Sequence, residues 1–244
     1  MVMEDVPLIH RRSAGAVAWV VTIIFLPIQA VVAMKWPRGY SLTTNAISDL
    51  GITTCGPVRD GDLPVREACS PWHSVFNGGL IASGTLMVVG AVLLHGWWTG
   101  RLGRAGTALM ALAGVSVVVV GLAPWDLNPD LHDLAATSQA LVQWLAMILL
   151  AKAAGPGRFR QVSVATVGVS VASFIAFALA LAGSEVPFLP LGIAERLSFD
   201  ALTLWTAFAG IAVLVNRSKA GQDVERRISE RSEVHAPSAS GQSP

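Results

Sequence analysis

Six apolar segments, each close to the ~20 residues that a helix needs to cross a bilayer, constrain this chain more than any other feature. They lie at 14–34, 75–97, 105–123, 134–154, 162–183 and 194–216. Hydrophobic residues make up 53% of the chain and charged residues 14%, so too little polar sequence remains for two soluble domains. The sequence therefore predicts an all-α, polytopic membrane bundle of six transmembrane helices.

The positions of Lys and Arg predict how the bundle is oriented, because these residues concentrate in short cytoplasmic loops. The basic residues that flank the segments or fill the short loops are Arg11, Arg12, Arg101, Arg104, Lys152, Arg158, Arg160, Arg217 and Lys219. Together they place both termini on the cytoplasmic side of the membrane. Residues 1–13 would form a cytoplasmic N-terminus, 14–219 the membrane domain with an outer loop at 36–74, and 220–244 a disordered cytoplasmic tail.

The first apolar segment is longer than the core of a signal peptide, and no small-residue cleavage site follows it, so we expect a retained helix. Pro27 lies inside this segment and predicts a kink, which either serves packing or shapes a cavity. The net charge of +1 and the absence of a basic patch give no indication of a nucleic-acid partner.

The long outer loop contains both cysteines of the chain, Cys55 and Cys69. Two cysteines separated by a short loop on an oxidising face favour a disulfide bond. No histidine lies near them at a spacing typical of zinc sites, so we predict no metal site there.

The same loop and the start of the next helix carry a series of polar residues. Asn45, Ser48 and Asp49 occur in the stretch TNAISDLG, where they form either a turn and cap or part of a site. His73 and Asn77 follow, and His73 is either an interfacial residue or a member of that site. We take Asp49 as a candidate catalytic residue, and Asn45, His73 and Asn77 as candidate substrate-binding residues.

The stretch from Trp125 to Gln143 places polar groups beside a membrane-length apolar run. His132, Gln139 and Gln143, together with Ala136, recur at helical spacing and predict one polar helix face that points into the bundle. Polar groups at membrane depth are costly, so they mark either a site or a satisfied network between helices. Asp126 and His132 are our candidate acid/base residues, and Trp125, Gln139 and Gln143 our candidate binding residues.

The last helix begins AERLSFDALTLW, with three ionisable residues close together. Glu195, Arg196 and Asp200 are candidate binding residues on this helix. Arg196 and Asp200 are four residues apart, so an ion pair along the helix is the first explanation for that acid, and membership of the site is the alternative.

The chain resembles a bacterial multi-pass membrane family, domain of unknown function 998. The similar residues run in order through Asn45 to Gly51, Asn77, the group Gly121, Pro124 and Asp126, then His132, and Glu195 with Arg196 through Trp205. The resemblance covers roughly 14–216 and implies a membrane-embedded helical fold, but no reaction. The cysteine-bearing segment 53–70 departs from the family pattern.

These residues suggest an intramembrane acid/base enzyme that acts on a lipid or isoprenoid. One form of the hypothesis is a headgroup hydrolase or transferase with His132 as base and Arg196 holding an anion. The other is a proton-initiated terpene cyclase in which Trp125, Trp144 and Trp205 stabilise a cation. No cofactor is expected, and a divalent metal held by Asp49, Asp126 and His132 is only weakly supported by their spacing. The alternative is a transporter, or a lipid-binding or accessory subunit, without catalysis.

Overall fold

The fold is described from a computed structural model, which describes residues 5–37, 39–61, 64–184 and 186–234. Within these ranges the chain forms seven α-helices: α1 (Asp5–Val21), α2 (Phe25–Met34), α3 (His73–Leu94), α4 (Gly100–Leu122), α5 (Pro129–Ala154), α6 (Arg158–Leu181) and α7 (Leu191–Val234). Two short strands, β1 (Gly56–Val58) and β2 (Arg66–Ala68), lie between α2 and α3.

Six helical segments of the described chain are long and apolar enough to cross a membrane. They are His10–Met34, His73–Leu94, Gly100–Leu122, Pro129–Ala154, Arg158–Leu181 and Leu191–Asn216. Each overlaps one of the six segments expected from hydropathy, and the first combines α1 with α2. The predicted all-α, six-helix membrane bundle is therefore confirmed, whereas its orientation stays a prediction.

A single turn of 3₁₀ helix, Thr22–Ile24, interrupts the first span between α1 and α2. Pro27 follows within the first turn of α2. Inside a regular helix, a proline ring clashes with the carbonyl of the residue four positions earlier. In the first turn of a helix proline is tolerated. The break therefore lies where Pro27 requires it, and the helix resumes with Phe25 and Gln29 buried.

The bundle core lies where α1, α3, α4, α5 and α7 meet. Trp19, Met110, Met147, Leu150 and Leu202 are fully buried there. The indole Nε1 of Trp19 donates to the Met87 carbonyl at 3.0 Å, so this aromatic residue is buried with its polar atom satisfied.

The described residues of the connection between α2 and α3, 35–37, 39–61 and 64–72, form a small cap over one end of the bundle, which we call the capped end. A 3₁₀ turn, Ser48–Gly51, is followed by the antiparallel β1–β2 hairpin. A disulfide bond between Cys55 and Cys69 closes the hairpin, as the sequence predicted. Ile47, Leu50 and Ile52 are buried and pack with Phe76 of α3, so the cap has its own apolar core.

The final helix continues beyond its membrane span. The backbone of α7 is helical to Val234, so the predicted boundary at 220 is not a helix end. Residues 235–244 lie outside the described residues, and the disorder of the tail stays a prediction.

Candidate functional site

A cavity lies inside the bundle, directly beneath the cap. The centre of a water-sized sphere can occupy about 70 Å³ of it. Its polar lining residues are Ser48, Ser83, His132, Gln139, Gln143, Glu195, Asp200 and Thr203; its apolar ones are Phe25, Ile47, Phe76, Leu80, Met87, Val117, Val120, Ala136 and Phe199. The cavity thus brings polar residues from the cap and from three helices into one space.

One wall of the cavity is the polar face of α5. His132, Ala136, Gln139 and Gln143 all line it, so the face that the helical spacing predicted does point inward. The helix starts where the sequence provides a cap: the Asn128 side chain accepts from the Leu131 N–H, and Pro129 occupies the first turn. This start sets which α5 residues face the cavity.

His132 is held in one orientation at the capped end of this wall. It is buried, and its Nδ1 lies 2.9 Å from the Ala123 carbonyl oxygen at the end of α4. A carbonyl only accepts, so Nδ1 carries hydrogen and donates. In the neutral ring the lone pair is then on Nε2, which is the nitrogen that can take up a proton.

Gln143 lies at the inner end of the same wall and is only 1% exposed. Its Nε2 donates to the Leu202 carbonyl at 3.2 Å and to the Thr206 hydroxyl at 3.0 Å. Its Oε1 is buried and has no hydrogen-bond partner within the described part of the chain. The amide is therefore fixed by α7 on one side and keeps a free acceptor.

The opposite wall carries two carboxylates from α7. Glu195 is buried and accepts a hydrogen bond from the backbone N–H of Ile47 in the cap. Asp200 accepts from Gln29 Nε2 of α2 at 2.8 Å. Both acids line the cavity, and each is bound to an element far away in sequence.

The expected ion pair between Arg196 and Asp200 is not among the salt bridges of the described residues, and this prediction was wrong. Arg196 turns toward the cap instead, where it donates to the Tyr40 hydroxyl at 2.5 Å and to the Asn45 carbonyl; it also donates to the Gly192 carbonyl of its own helix. The Arg196 guanidinium has five N–H donors, and acceptors in the cap lie beside it. They bind it in place of the Asp200 carboxylate. Arg196 does not line the cavity.

Asp49 also lies outside the cavity lining. It is 1% exposed, and Arg66 of β2 binds it through Nη2 to Oδ1 at 2.6 Å and through Nε to Oδ2 at 3.0 Å. Asn45 Nδ2 and the Ala46 N–H add two further bonds. With both oxygens engaged, Asp49 organises the cap, and we do not retain it as a catalytic residue.

Asp126 joins the end of α4 to the cap rather than to His132. Its Oδ2 accepts from the backbone N–H and the hydroxyl of both Thr53 and Thr54, at 2.7 to 3.1 Å. Burial raises the pKa of this carboxyl, but the bonds from Thr53 and Thr54 outweigh it, and the pKa lies below its usual value. Asp126 does not line the cavity either, so it is not placed there with His132 as predicted; the acids that line the cavity together with His132 are Glu195 and Asp200.

The remaining candidate residues also hold the cap. Asn77 Nδ2 donates to the Gly51 carbonyl at 2.9 Å, and His73 Nδ1 lies 3.0 Å from the Ser70 carbonyl. Trp125 follows α4 outside the cavity. In the described chain no group of three His, Cys, Asp or Glu residues is placed to hold a metal ion, so Asp49, Asp126 and His132 do not form the metal site that was weakly suggested.

The sequence reasoning missed the aromatic part of the cavity. Phe25, Phe76 and Phe199 line it, whereas the Trp144 and Trp205 indoles are turned away and donate to Ser170 and Ser163. A signal was present in α7: Glu195, Phe199 and Thr203 recur every four residues, which is one face of a helix. Ser83 gave no such signal, because it follows the small residues that suggested packing alone.

These features define a polytopic helical membrane protein with a capped, partly polar cavity inside its bundle. The chain belongs to the family described as "Protein of unknown function (DUF998)", whose model matches residues 13–212. The match covers the cap, four of the six spans completely and most of the first and last, in agreement with the resemblance seen in the sequence. No curated protein and no solved structure matches the chain.

Proposed function

We propose that this protein is a membrane-embedded enzyme that moves protons on an uncharged lipid or isoprenoid chain bound in the cavity. The observation that carries the proposal is that His132, Glu195 and Asp200 line one cavity inside the membrane spans. Three ionisable groups in so apolar a space are costly to maintain, and they are the groups that general acid/base catalysis uses. A carboxyl and an imidazole on facing walls can give and take a proton across a bound chain.

The lining favours an uncharged substrate. No Lys or Arg is among the described residues around the cavity, and Arg196 is committed to Tyr40 and the cap carbonyls. An anionic headgroup would therefore meet two carboxylates without a counter-charge. This argues against the form of the hypothesis in which Arg196 holds a phosphate during headgroup hydrolysis or transfer.

The apolar lining fits an isoprenoid chain. Phe25, Phe76 and Phe199 surround the region that the two acids reach, and the faces of aromatic rings stabilise a passing positive charge. Proton transfer to a double bond creates such a charge. These phenylalanines thus take the role that the cyclase hypothesis gave to tryptophans.

The polar lining of the cavity extends inward as far as Gln143, which favours a substrate pocket over a conduction path. Beyond Gln143, toward the end opposite the cap, Met147, Met110 and Leu150 are fully buried in the apolar core. A proton or solute path would need polar groups to continue there. We further propose that the protein lies in a bacterial inner or plasma membrane, as its family resemblance implies, and that both termini are cytoplasmic, as the distribution of Lys and Arg indicates.

The test is lipid and isoprenoid profiling of membranes that contain wild type, Asp200→Asn or His132→Gln at matched protein levels. Asp130→Asn is the control, because Asp130 is an exposed acid on α5 outside the cavity. We expect a lipid species that appears with wild type and Asp130→Asn and disappears in both cavity variants. If all four profiles agree while all four proteins are folded, the enzyme proposal fails, and flux measurements in sealed vesicles would follow.

A further inference from the structure

The inner end of the cavity carries an unsatisfied hydrogen-bond acceptor. Gln143 is 99% buried within the fold, and its Oε1 has no partner in the described chain. Leaving a buried polar atom unpaired costs about 1–3 kcal/mol. The atom belongs to a residue that lines the cavity, so a molecule inside the cavity can satisfy it.

The position of this acceptor is fixed. The two bonds from Gln143 Nε2 to Leu202 and Thr206 hold the amide plane, and Thr206 itself donates to the Leu202 carbonyl at 2.9 Å. Because Leu202 O and the engaged Thr206 hydroxyl both accept from Gln143, the nitrogen must be the atom on that side and the oxygen the free one. The free atom accepts and cannot donate, so it selects a hydrogen-bond donor.

The shape of the cavity limits what can carry that donor. His132 and Gln143 lie on the same helix face, about 16 Å apart along its axis. Lining residues occur along this whole length, and the free space for the centre of a water-sized sphere is about 70 Å³. Averaged over that length, this volume leaves a narrow bore, with room for one extended hydrocarbon chain rather than for a fused ring system.

We infer that the cavity binds a single hydrocarbon chain whose innermost end is a hydroxyl that donates to Gln143 Oε1. The chain then extends past Phe199 and Asp200 toward His132 and Glu195 at the capped end. Gln139 and Thr203 line the same bore and offer further polar contacts near the hydroxyl. This inference rests on the proposed function for the identity of the reacting groups, but its binding step requires no turnover.

The test compares two isomeric probes, dodecanol and 1-methoxyundecane, which share composition and nearly share shape while only the alcohol has a donor. Wild-type protein in nanodiscs is loaded with radiolabelled dodecanol, and each unlabelled probe competes for release; empty nanodiscs correct for partition into lipid. We expect the alcohol to compete about fivefold more strongly than the ether, the preference that one neutral hydrogen bond gives. Equal competition, or no saturable binding of either probe, overturns the inference and indicates that water alone satisfies Gln143.

Two variants distinguish the loss of the acceptor Oε1 from a general disturbance of the buried network around it. Gln143→Met removes the acceptor and should abolish the preference for the alcohol. Thr206→Val disturbs the same buried network but leaves Oε1 in place, so it should keep the preference. Alcohol preference in a protein without a lipid product would overturn the proposed function alone, whereas a product without alcohol preference would overturn this inference alone.

Discussion

The carboxylate of Asp49 and the guanidinium of Arg66 form a two-point ion pair, with Nη2 to Oδ1 at 2.6 Å and Nε to Oδ2 at 3.0 Å. Asp49 belongs to the 3₁₀ turn that covers the cavity, and Arg66 belongs to β2 of the disulfide-closed hairpin. The hairpin is therefore fastened to the cavity cover by a charge pair of which the acid is only 1% exposed. The hairpin thus helps to hold the turn that covers the cavity.

Replacing Arg66 by Met should destabilise the protein strongly. The substitution leaves the buried Asp49 carboxylate without its counter-charge, and breaking a buried pair from one side costs about 3 kcal/mol. Thermal unfolding in detergent measures the loss. The double variant Asp49→Asn with Arg66→Met should recover part of it, because the uncompensated charge is then gone. An unchanged Tm in Arg66→Met would contradict a structural role for the pair.

The pKa of Asp60 predicts a pH dependence of stability. Burial raises the pKa of this carboxyl from 3.8 to about 6, against an opposing effect of Arg66, and Asp133 and Asp49 raise it further. A raised pKa means that the folded state binds the proton more tightly than the unfolded state. Stability should therefore fall as pH rises from about 4 to about 6 and change no further above that for this group.

The measurement is Tm against pH for wild type and Asp60→Asn. The variant should lose the part of the slope between pH 4 and 6 that this carboxyl contributes, and it should be the more stable protein at pH 7. The expected difference is modest, because Asp60 keeps some contact with solvent and Arg66 Nη2 lies 3.8 Å away. Parallel curves of Tm against pH for the two proteins would show that the pKa of Asp60 is the same in the folded and unfolded states.

Hydropathy and residue spacing were sufficient to predict the features that depend on residues close together in the sequence. The six spans, the disulfide between Cys55 and Cys69, and the inward face of α5 all follow from such local patterns. Each of them is set by a periodicity or by a short separation along the chain. No knowledge of the packed bundle is needed to predict them.

The partners of the ionisable residues could not be predicted, because they come from distant parts of the chain. The spacing of Arg196 and Asp200 indicates a pair along one helix, yet Tyr40 and Gln29 bind them instead. Asp126 looked like a partner of His132, but Thr53 and Thr54 surround it. Some acids near the membrane boundary face the cavity and others hold the cap in place. Contacts between distant parts of the chain decide which acid does which.

The close approach of α3 and α4 gives a stability prediction with a matched control. A Cβ on Gly84 would lie 2.5 Å from the Gly114 carbonyl oxygen and 2.7 Å from the Val118 nitrogen, which are backbone atoms that cannot move aside alone. Gly84→Ala should therefore cost about 1–3 kcal/mol. Gly78→Ala on the same helix meets nothing within 4 Å and should be neutral or stabilise by up to about 1 kcal/mol. Equal Tm shifts for the two variants would mean that the helices are not in contact at Gly84.

Filling the bore should block binding without unfolding the protein. Ala136 lines the cavity between His132 and Gln139, so the larger side chain of Ala136→Leu would project into the space that the bound chain needs. Because this space is already a void, added methyl groups enter it at little cost to stability. Saturable dodecanol binding and the wild-type lipid product should both be lost at an unchanged Tm. Ala154→Leu makes the same replacement at an exposed position of α5 and should preserve both. Retention of binding and product in Ala136→Leu would show that the substrate is held elsewhere, and that the polar lining of this cavity serves the fold alone.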